Sequence, residues 1–436
     1  MSENIKPFHL AFFLGGPHIQ GWGYEWSGNI TDEFMGPELY EMVARELERG
    51  CLDYILLEDN VFVADAAGGK MDTYLKYGIS VPRRDPMMIA PYMLKATKHI
   101  GIVPTISTFA PHPFYHARQM ASLDQLSGGR VGWNCVTGSS DRAWQNFGFD
   151  AMLPHDERYD HAAEFVEASN ALWDSWDADA IVADRESNTL VDPAKVRTVD
   201  FEGKWFKTRG PLNVGPLPQG RPAMAQAGSS GRGREFAAKY ADTIVGDGRD
   251  NESSKAYRDN LRELAVGIGR DPDEIQFMTL LTPILGATQG EADEKAKSLE
   301  AHNLKMAPQS LALISKTTGI DFSRFPLDEE LKAEGLTTEG TQKSLDEFLA
   351  RNKGKTLRQA AARPIDRRWV GTPETVADRM QEAMEYIGGD GFLLGGVITR
   401  RFIAELVDGL IPVLQRRGLT RKTYAGKTLR ENLRTI

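Results

Sequence analysis

The hydrophobic positions of the chain fall into short apolar runs separated by longer amphipathic stretches. Residues 8–14 (FHLAFFL), 52–59 (LDYILLED), 100–108 (IGIVPTIST) and 130–136 (RVGWNCV) are apolar without clean alternation. That pattern marks strands covered on both faces, as in a parallel sheet. Between them, residues 36–50, 85–99 and 112–129 repeat apolar positions at helical spacing. The last of these has Pro113 in its first turn and Gly128 past its end, the usual helix punctuation.

The alternation continues with a long helix over 157–176, a hairpin insertion over 200–214 and a strand over 221–228. A helix opens over 229–241, followed by a strand at 242–246, a helix at 252–269 and a strand at 275–285. Residues 287–369 break the rhythm, being charged, helical and loop-rich without a clear strand. A helix ending at 389, started by Thr372 and Pro373, a strand at 390–396 and a helix at 400–418 close the series. Eight strands, each followed by a helix, predict an α/β fold of the TIM (β/α)8 type, one domain over 1–436, with its largest insertion before strand 8. The rival is a doubly wound sheet with an appended helical domain. The lack of GxGxxG after the first strand counts against it. The basic tail after Gly418 is expected on the surface.

Composition narrows the function. The chain has 436 residues, 41% hydrophobic and 26% charged, which is ordinary for a globular protein. A net charge of −9, from 52 basic and 61 acidic residues, argues against nucleic-acid binding as a main role. No window is apolar enough for a membrane span, and the N-terminus reads as a first strand rather than a signal peptide. Cys51 and Cys135 lack CxxC spacing and read as two buried thiols in a reducing compartment. A cytoplasmic location is expected.

A barrel places its chemistry at the C-terminal ends of its strands. There the sequence offers His18, Trp22, Tyr24 and Trp26 after strand 1, and Glu58, Asp59 and Asn60 after strand 2. Thr105, Ser107 and Phe109 follow at strand 3, then Asn134, Thr137 and Ser139 at strand 4. Ser229 and Ser230 follow strand 5. This rim is rich in hydroxyls, amides and aromatics. It has no metal-ligand spacing, no GxSxG elbow and no Walker loop. The stretch AGSSGRGREF pairs small residues with a helix start, which suits an anion, although a Ser N-cap explains it equally. His155 and Tyr159 share a face if their helix has begun by His155; otherwise they mark a capped helix start. His112 reads as structural, and Trp22, Tyr24 and Trp26 as core or pocket wall.

Several blocks together are specific: GPHIQGWGYEW, LDYILLEDNV, HARQMASLDQLSGGRVGWNCVTGSSDRAWQNFG, HDERYDHAAEFVEASNALWDSWD, FKTRGPLNVGPLPQGRPAMAQAGSSGRGREFAAKYAD and WVGTPETVADRM. Over about residues 8–425 the chain resembles the bacterial luciferase superfamily. Within it, the blocks look like the branch containing nitrilotriacetate monooxygenase component A, dibenzothiophene-sulfone monooxygenase and the pristinamycin IIA synthase large subunit. The resemblance implies a TIM barrel that uses FMN as FMNH2, supplied by a separate NAD(P)H:flavin reductase, with O2 as co-substrate. It implies oxygenation of a small organic substrate and a homo-oligomer, dimer or tetramer. Carried over position by position, it places Asp59, Thr105, Asn134, Thr137, His155, Tyr159, Ser229 and Ser230 at the cofactor. Thr105, Asn134, Thr137 and Ser139 become the catalytic candidates, and residues 287–369 a lid. The small number of cations on the rim leans the substrate towards a neutral or aromatic molecule. An F420-dependent oxidoreductase on the same fold and a non-catalytic flavin-binding protein are the competing readings.

Overall fold

Eight parallel strands close on themselves in the computed structural model, which describes residues 6–15, 33, 36–246, 249–330, 348–350, 352–362 and 364–436. His18, Trp22, Tyr24 and Trp26 lie outside the described residues. The barrel strands are β1 (His9–Leu14), β2 (Tyr54–Leu57), β3 (Gly101–Ser107), β4 (Gly132–Val136), β5 (Ala223–Gln226), β6 (Thr243–Gly246), β7 (Gln276–Leu281) and β8 (Gly391–Leu394). Each pairs with its neighbours in chain order, and β8 returns to β1. The doubly wound alternative is therefore excluded. The longer helices are α1 (Glu38–Arg49), α2 (Pro86–Ala96), α3 (Pro113–Ser127), α4 (His155–Trp173), α5 (Gly231–Tyr240) and α6 (Asn251–Gly267), then α7 (Gln289–Lys305), α8 (Ala307–Thr318) and α9 (Pro373–Ile387).

Alternation along the strands explains the double burial. Ala11, Tyr54, Leu56, Val103, Ala223, Ala225, Met278 and Leu393 form one cluster, the barrel lumen. Their neighbours Leu10, Phe12, Ile55, Leu57, Ile102, Phe392 and Leu394 pack outward in another cluster with the helices. Tyr54 Oη and Thr243 Oγ1 meet at 3.0 Å across the interior, linking β2 to β6.

The hairpin expected over 200–214 is present, with Phe201–Glu202 antiparallel to Lys207–Thr208. A second hairpin, Ile181–Asp184 with Thr189–Val191, has no counterpart in the expected pattern. Within the insertion, α7 and α8 are helical as expected. Ile284–Leu285 pairs in parallel with Val370–Gly371 outside the barrel, so the expected strand 275–285 ends at Leu281.

The tail after Gly418 departs from expectation. Leu429 and Leu433 are buried in the lumen cluster, where they plug the N-terminal end of the barrel. A Cβ on Gly101 would stand 2.6 Å from Leu429 Cδ1, and one on Gly132 2.9 Å from the Ala223 carbonyl oxygen. Both glycines open β3 and β4 to admit the plug. The apolar pair every fourth residue, Leu429 and Leu433, was masked by the surrounding basic residues. Cys51 also differs: it is half-buried with its thiol 3.2 Å from the Lys422 carbonyl oxygen, whereas Cys135 is buried and points into the helix shell.

Three aspartates sit immediately before β2, β6 and β8. Asp53 accepts the Leu10 N–H at 3.1 Å, Asp242 the Met224 N–H at 2.7 Å and Asp390 the Phe277 N–H at 3.0 Å. Each has an arginine: Arg421 lies 2.7 Å from Asp53, Arg430 pairs with Asp242, and Arg258 holds Asp390 through two bonds of 3.1 and 3.0 Å.

Two outcomes follow for urea denaturation. Leu429→Ala should destabilise the chain by about 2–4 kcal/mol through the cavity it leaves. Arg421→Ala should cost about 3–5 kcal/mol, because Asp53 is left buried without its cation. Losses under about 1 kcal/mol in both variants would show that the tail does not close the barrel.

Candidate active site

β3 and β4 place two polar side chains inward at the same level. Thr105 and Asn134 are register partners, both buried, and Asn134 Nδ2 donates to Thr105 Oγ1 at 2.7 Å. Asn134 Oδ1 is buried and has no protein partner among the described residues. Buried polar atoms are normally satisfied, so an orphaned acceptor at the C-terminal end of a barrel strand points to a missing ligand. The alternation that aims Asn134 inward sends Trp133 and Cys135 outward against α3 and α4. Burial raises the Cys135 thiol pKa, so it is no nucleophile.

Beyond β4 the chain carries Thr137, half-buried, and Ser139, which is exposed and has no hydrogen bond tying it to the Thr105–Asn134 pair. Ser140 caps a short helix, Asp141–Gln145, by accepting the Arg142 N–H at 3.2 Å. Gly138 has φ +79° and packs where a Cβ would stand 2.6 Å from Phe109 and 2.9 Å from Trp144 Nε1, so no other residue fits. Phe109 stacks on Trp144 at 4.6 Å, and Phe147 meets Phe109 edge-on. The small polar run of 137–140 thus lies against an aromatic block.

A second group forms between α4 and α5. The α4 helix does begin at His155, so His155 and Tyr159 share a face, with ring centroids 5.3 Å apart. The His155 Nδ1 is 2.7 Å from Asp156. Tyr159 is buried, and its hydroxyl lies 2.8 Å from where a Cβ on either Gly228 or Gly233 would stand. Ser230 is the α5 N-cap, accepting the Gly233 N–H at 3.1 Å, and Ser229 is exposed beside it. The cap explanation of Ser230 is therefore realised. It coexists with a cradle of two glycines, a tyrosine hydroxyl and a helix start, which is chemistry suited to an anion. His112 is structural, its ring accepting the Phe114 N–H at 3.2 Å to cap α3.

Asp59 follows β2 and is half-buried, accepting the Asn60 N–H at 2.7 Å. Burial raises its carboxyl to about 6, against smaller opposing effects of that bond and of Arg83. Three cations stand near the strand ends without following a strand directly. Arg83 donates to the Glu58 carbonyl oxygen at 2.6 Å and lies 3.4 Å from its carboxylate. Lys316, delivered by α8 of the insertion, donates to Ser80 Oγ at 3.0 Å over the Phe62 ring. Burial lowers its amine to about 8. Arg158 donates to the Gly138 carbonyl oxygen at 2.5 Å while its Nε stays buried without a partner. None of the three directly follows a barrel strand, so the strand-end pattern does not reveal them. Among the described residues no three His, Cys, Asp or Glu side chains group to hold a metal ion.

The fold and site together define a TIM-barrel enzyme with a buried amide–hydroxyl pair at its mouth and a glycine-lined cradle between α4 and α5. The family model described as luciferase-like monooxygenase matches residues 38–391, and the chain belongs to that family. It is 37% identical to a dibenzothiophene-sulfone monooxygenase of Rhodococcus erythropolis (strain XP), over 98% of this chain and 96% of that protein. It is 35% identical to the N-acetyl-S-(2-succino)cysteine monooxygenase of Bacillus subtilis (strain 168), over 99% of this chain and 97% of that protein. Its structure is similar to a crystal structure of a riboflavin lyase with modified FMN and riboflavin, with a TM-score of 0.87 and 32% identity, covering 99% and 96% of the two chains. The expected family, fold and oxidative enzyme class stand.

The raised Asp59 carboxyl sets a pH effect. The folded state holds its proton up to about 6, above the ordinary carboxylate range, so stability falls as pH rises through that window. Asp59→Asn should abolish this component. Thermal melts of wild type and variant from pH 4 to pH 7 should converge at the acid end and separate at neutral pH, with the variant higher. Parallel curves would remove Asp59 from a desolvated environment.

Proposed function

We propose that the chain is the oxygenase component of a two-component system that uses FMNH2 and O2 to oxygenate a small organic substrate. A separate NAD(P)H:flavin reductase supplies the FMNH2. The observation that carries this reading is the buried, unpartnered Asn134 Oδ1 beside Thr105 at the barrel mouth. Family membership favours oxygenation over the deazaflavin and storage readings.

The residues present fit FMN. The glycine cradle with Tyr159 and Ser230, flanked by His155 and Ser229, would hold the phosphate end. Asp59, Thr105, Asn134 and Thr137 would meet the remainder at the mouth. Bound FMNH2 supplies the electrons that activate O2, so the protein needs neither nucleophile nor metal of its own.

The protein's part is orientation and dryness. Asn134 Nδ2 occupies one acceptor site of Thr105 Oγ1. The threonine proton is then free to be donated upward, and Asn134 Oδ1 is free to accept. The pair therefore offers one donor and one acceptor, both uncharged, to a group at the mouth. Below it the lumen is lined with buried apolar side chains. From the side, α8 of the insertion docks on the segment after β2 through Lys316–Ser80 and a Tyr74 Oη bond to the Ala312 carbonyl oxygen at 2.9 Å. That docking supports the lid role for residues 287–369. Arg83, Lys316 and Arg158 give this rim more cations than a neutral substrate requires. The names of both relatives favour an organosulfur compound. Exposed Met88, Tyr92 and Tyr115 on α2 and α3 support a homo-oligomer.

Rapid mixing of protein and photoreduced FMN with aerated buffer tests the reading. Flavin reoxidation should depart from its free-solution rate. Reoxidation at the free rate would sink it. Tyr159→Phe should weaken FMNH2 binding by about 1 kcal/mol, one hydrogen bond. Asn134→Ala should bind FMNH2 yet let it reoxidise nearer the free-solution rate; wild-type kinetics in the variant would deny Asn134 its role.

A further inference from the structure

A cavity opens at the C-terminal ends of the strands, apart from the Thr105–Asn134 pair and the glycine cradle and walled in part by α7 of the insertion. It has a volume of about 380 Å³ and lies between the ends of β7 and β8, helix α7 and the short helix Arg400–Ala404. That volume lies within the roughly 300–1,000 Å³ of small-molecule sites. Its walls are mainly apolar, with Ile284, Leu285, Leu299, Val397 and Phe402 contributing. In the closed strand order, β7 and β8 stand opposite β3 and β4, which carry Thr105 and Asn134.

Its charge is one-sided. Lys295, Lys305 and Arg401 line it against a single carboxylate, Glu405. Glu405 accepts from Lys295 at 2.7 Å and from Arg401 at 2.8 Å. Glu291, from outside the lining, pairs with the same two cations at 3.1 and 3.2 Å. Three cations and two carboxylates leave one positive charge. Lys305 supplies it, since it forms no ion pair among the described residues and stands exposed at the end of α7, beside His302.

We propose that this cavity binds a small organic anion with an apolar body, its ring or chain among the leucines and its anionic group at Lys305. An apolar chamber with one uncompensated cation at its edge favours a molecule of that pattern over a neutral or cationic one of equal size. The proposal stands independently of the flavin reading.

The probe is 8-anilinonaphthalene-1-sulfonate, an aromatic sulfonate whose fluorescence rises in apolar surroundings, titrated into the full chain in saturating FMN. The wild type should bind one equivalent. Leu299→Trp, which fills the chamber, should abolish binding. Lys305→Glu should raise Kd by about tenfold, and the distant Lys70→Glu should leave it unchanged. Thermal melts establish that each variant is folded; should Leu299→Trp not fold, the lysine pair decides. Absence of binding to wild type, equal affinity in Lys305→Glu, or equal weakening by Lys70→Glu overturns the proposal. Loss in Leu299→Trp with Lys305→Glu unchanged overturns the anionic class.

Discussion

The closed end of the barrel depends on three buried carboxylates. Asp53, Asp242 and Asp390 each precede a strand and bond the N–H of the second residue of the strand before it. Each thereby sets one strand against its neighbour at the point where the next begins. A buried carboxylate is costly unless paired, and burial raises the Asp242 pKa even with Arg430 opposing it. The arginines are thus obligatory partners. Two of them, Arg421 and Arg430, come from the C-terminal tail, which also supplies Leu429 and Leu433 to the lumen. The last residues of the chain complete a barrel whose first strand begins at His9.

This arrangement divides the labour between the two ends. At the bottom, each carboxylate is paired with an arginine and the lumen holds apolar side chains. At the top, polar atoms such as Asn134 Oδ1 and Arg158 Nε are left without protein partners. Unsatisfied groups are tolerable only where the surrounding structure pays for them elsewhere. The β3–β4 pairing itself makes Thr105 and Asn134 neighbours.

The strands and helices of the barrel were legible because their signals are local. Doubly buried runs read as parallel strands, and Pro113 with Gly128 bracketed α3 within a residue. What escaped notice was non-local. Leu429 and Leu433 look like two leucines in a basic tail until Gly101 and Gly132 are seen opposite them. The first strand of the second hairpin, Ile181–Asp184, is exposed on all its residues, so no hydrophobic alternation announces it. In the site, the rule that chemistry follows strand ends reached Thr105, Asn134 and Asp59. It did not reach Arg83, Arg158 or Lys316, which arrive from loops and helices brought near by the fold.

Those cations sharpen how the mouth is built. The paired groups at the mouth, Thr105 and Asn134, are uncharged, and under the proposed function an oxygen-activating cofactor is best served by donors that neither titrate nor oxidise. Charge is kept to the edge: Arg83 is tied to Glu58, and Lys316 to Ser80 with its amine lowered by burial. Lys316 comes from the insertion, so a lid role for that segment would bring a cation to the rim in the same event. Dryness and charge at the mouth would then be coupled through one helix. A chain with a different α8 would alter both together, which gives a physical reason why one barrel can serve relatives named for substrates as different as a neutral sulfone and a succinylated cysteine.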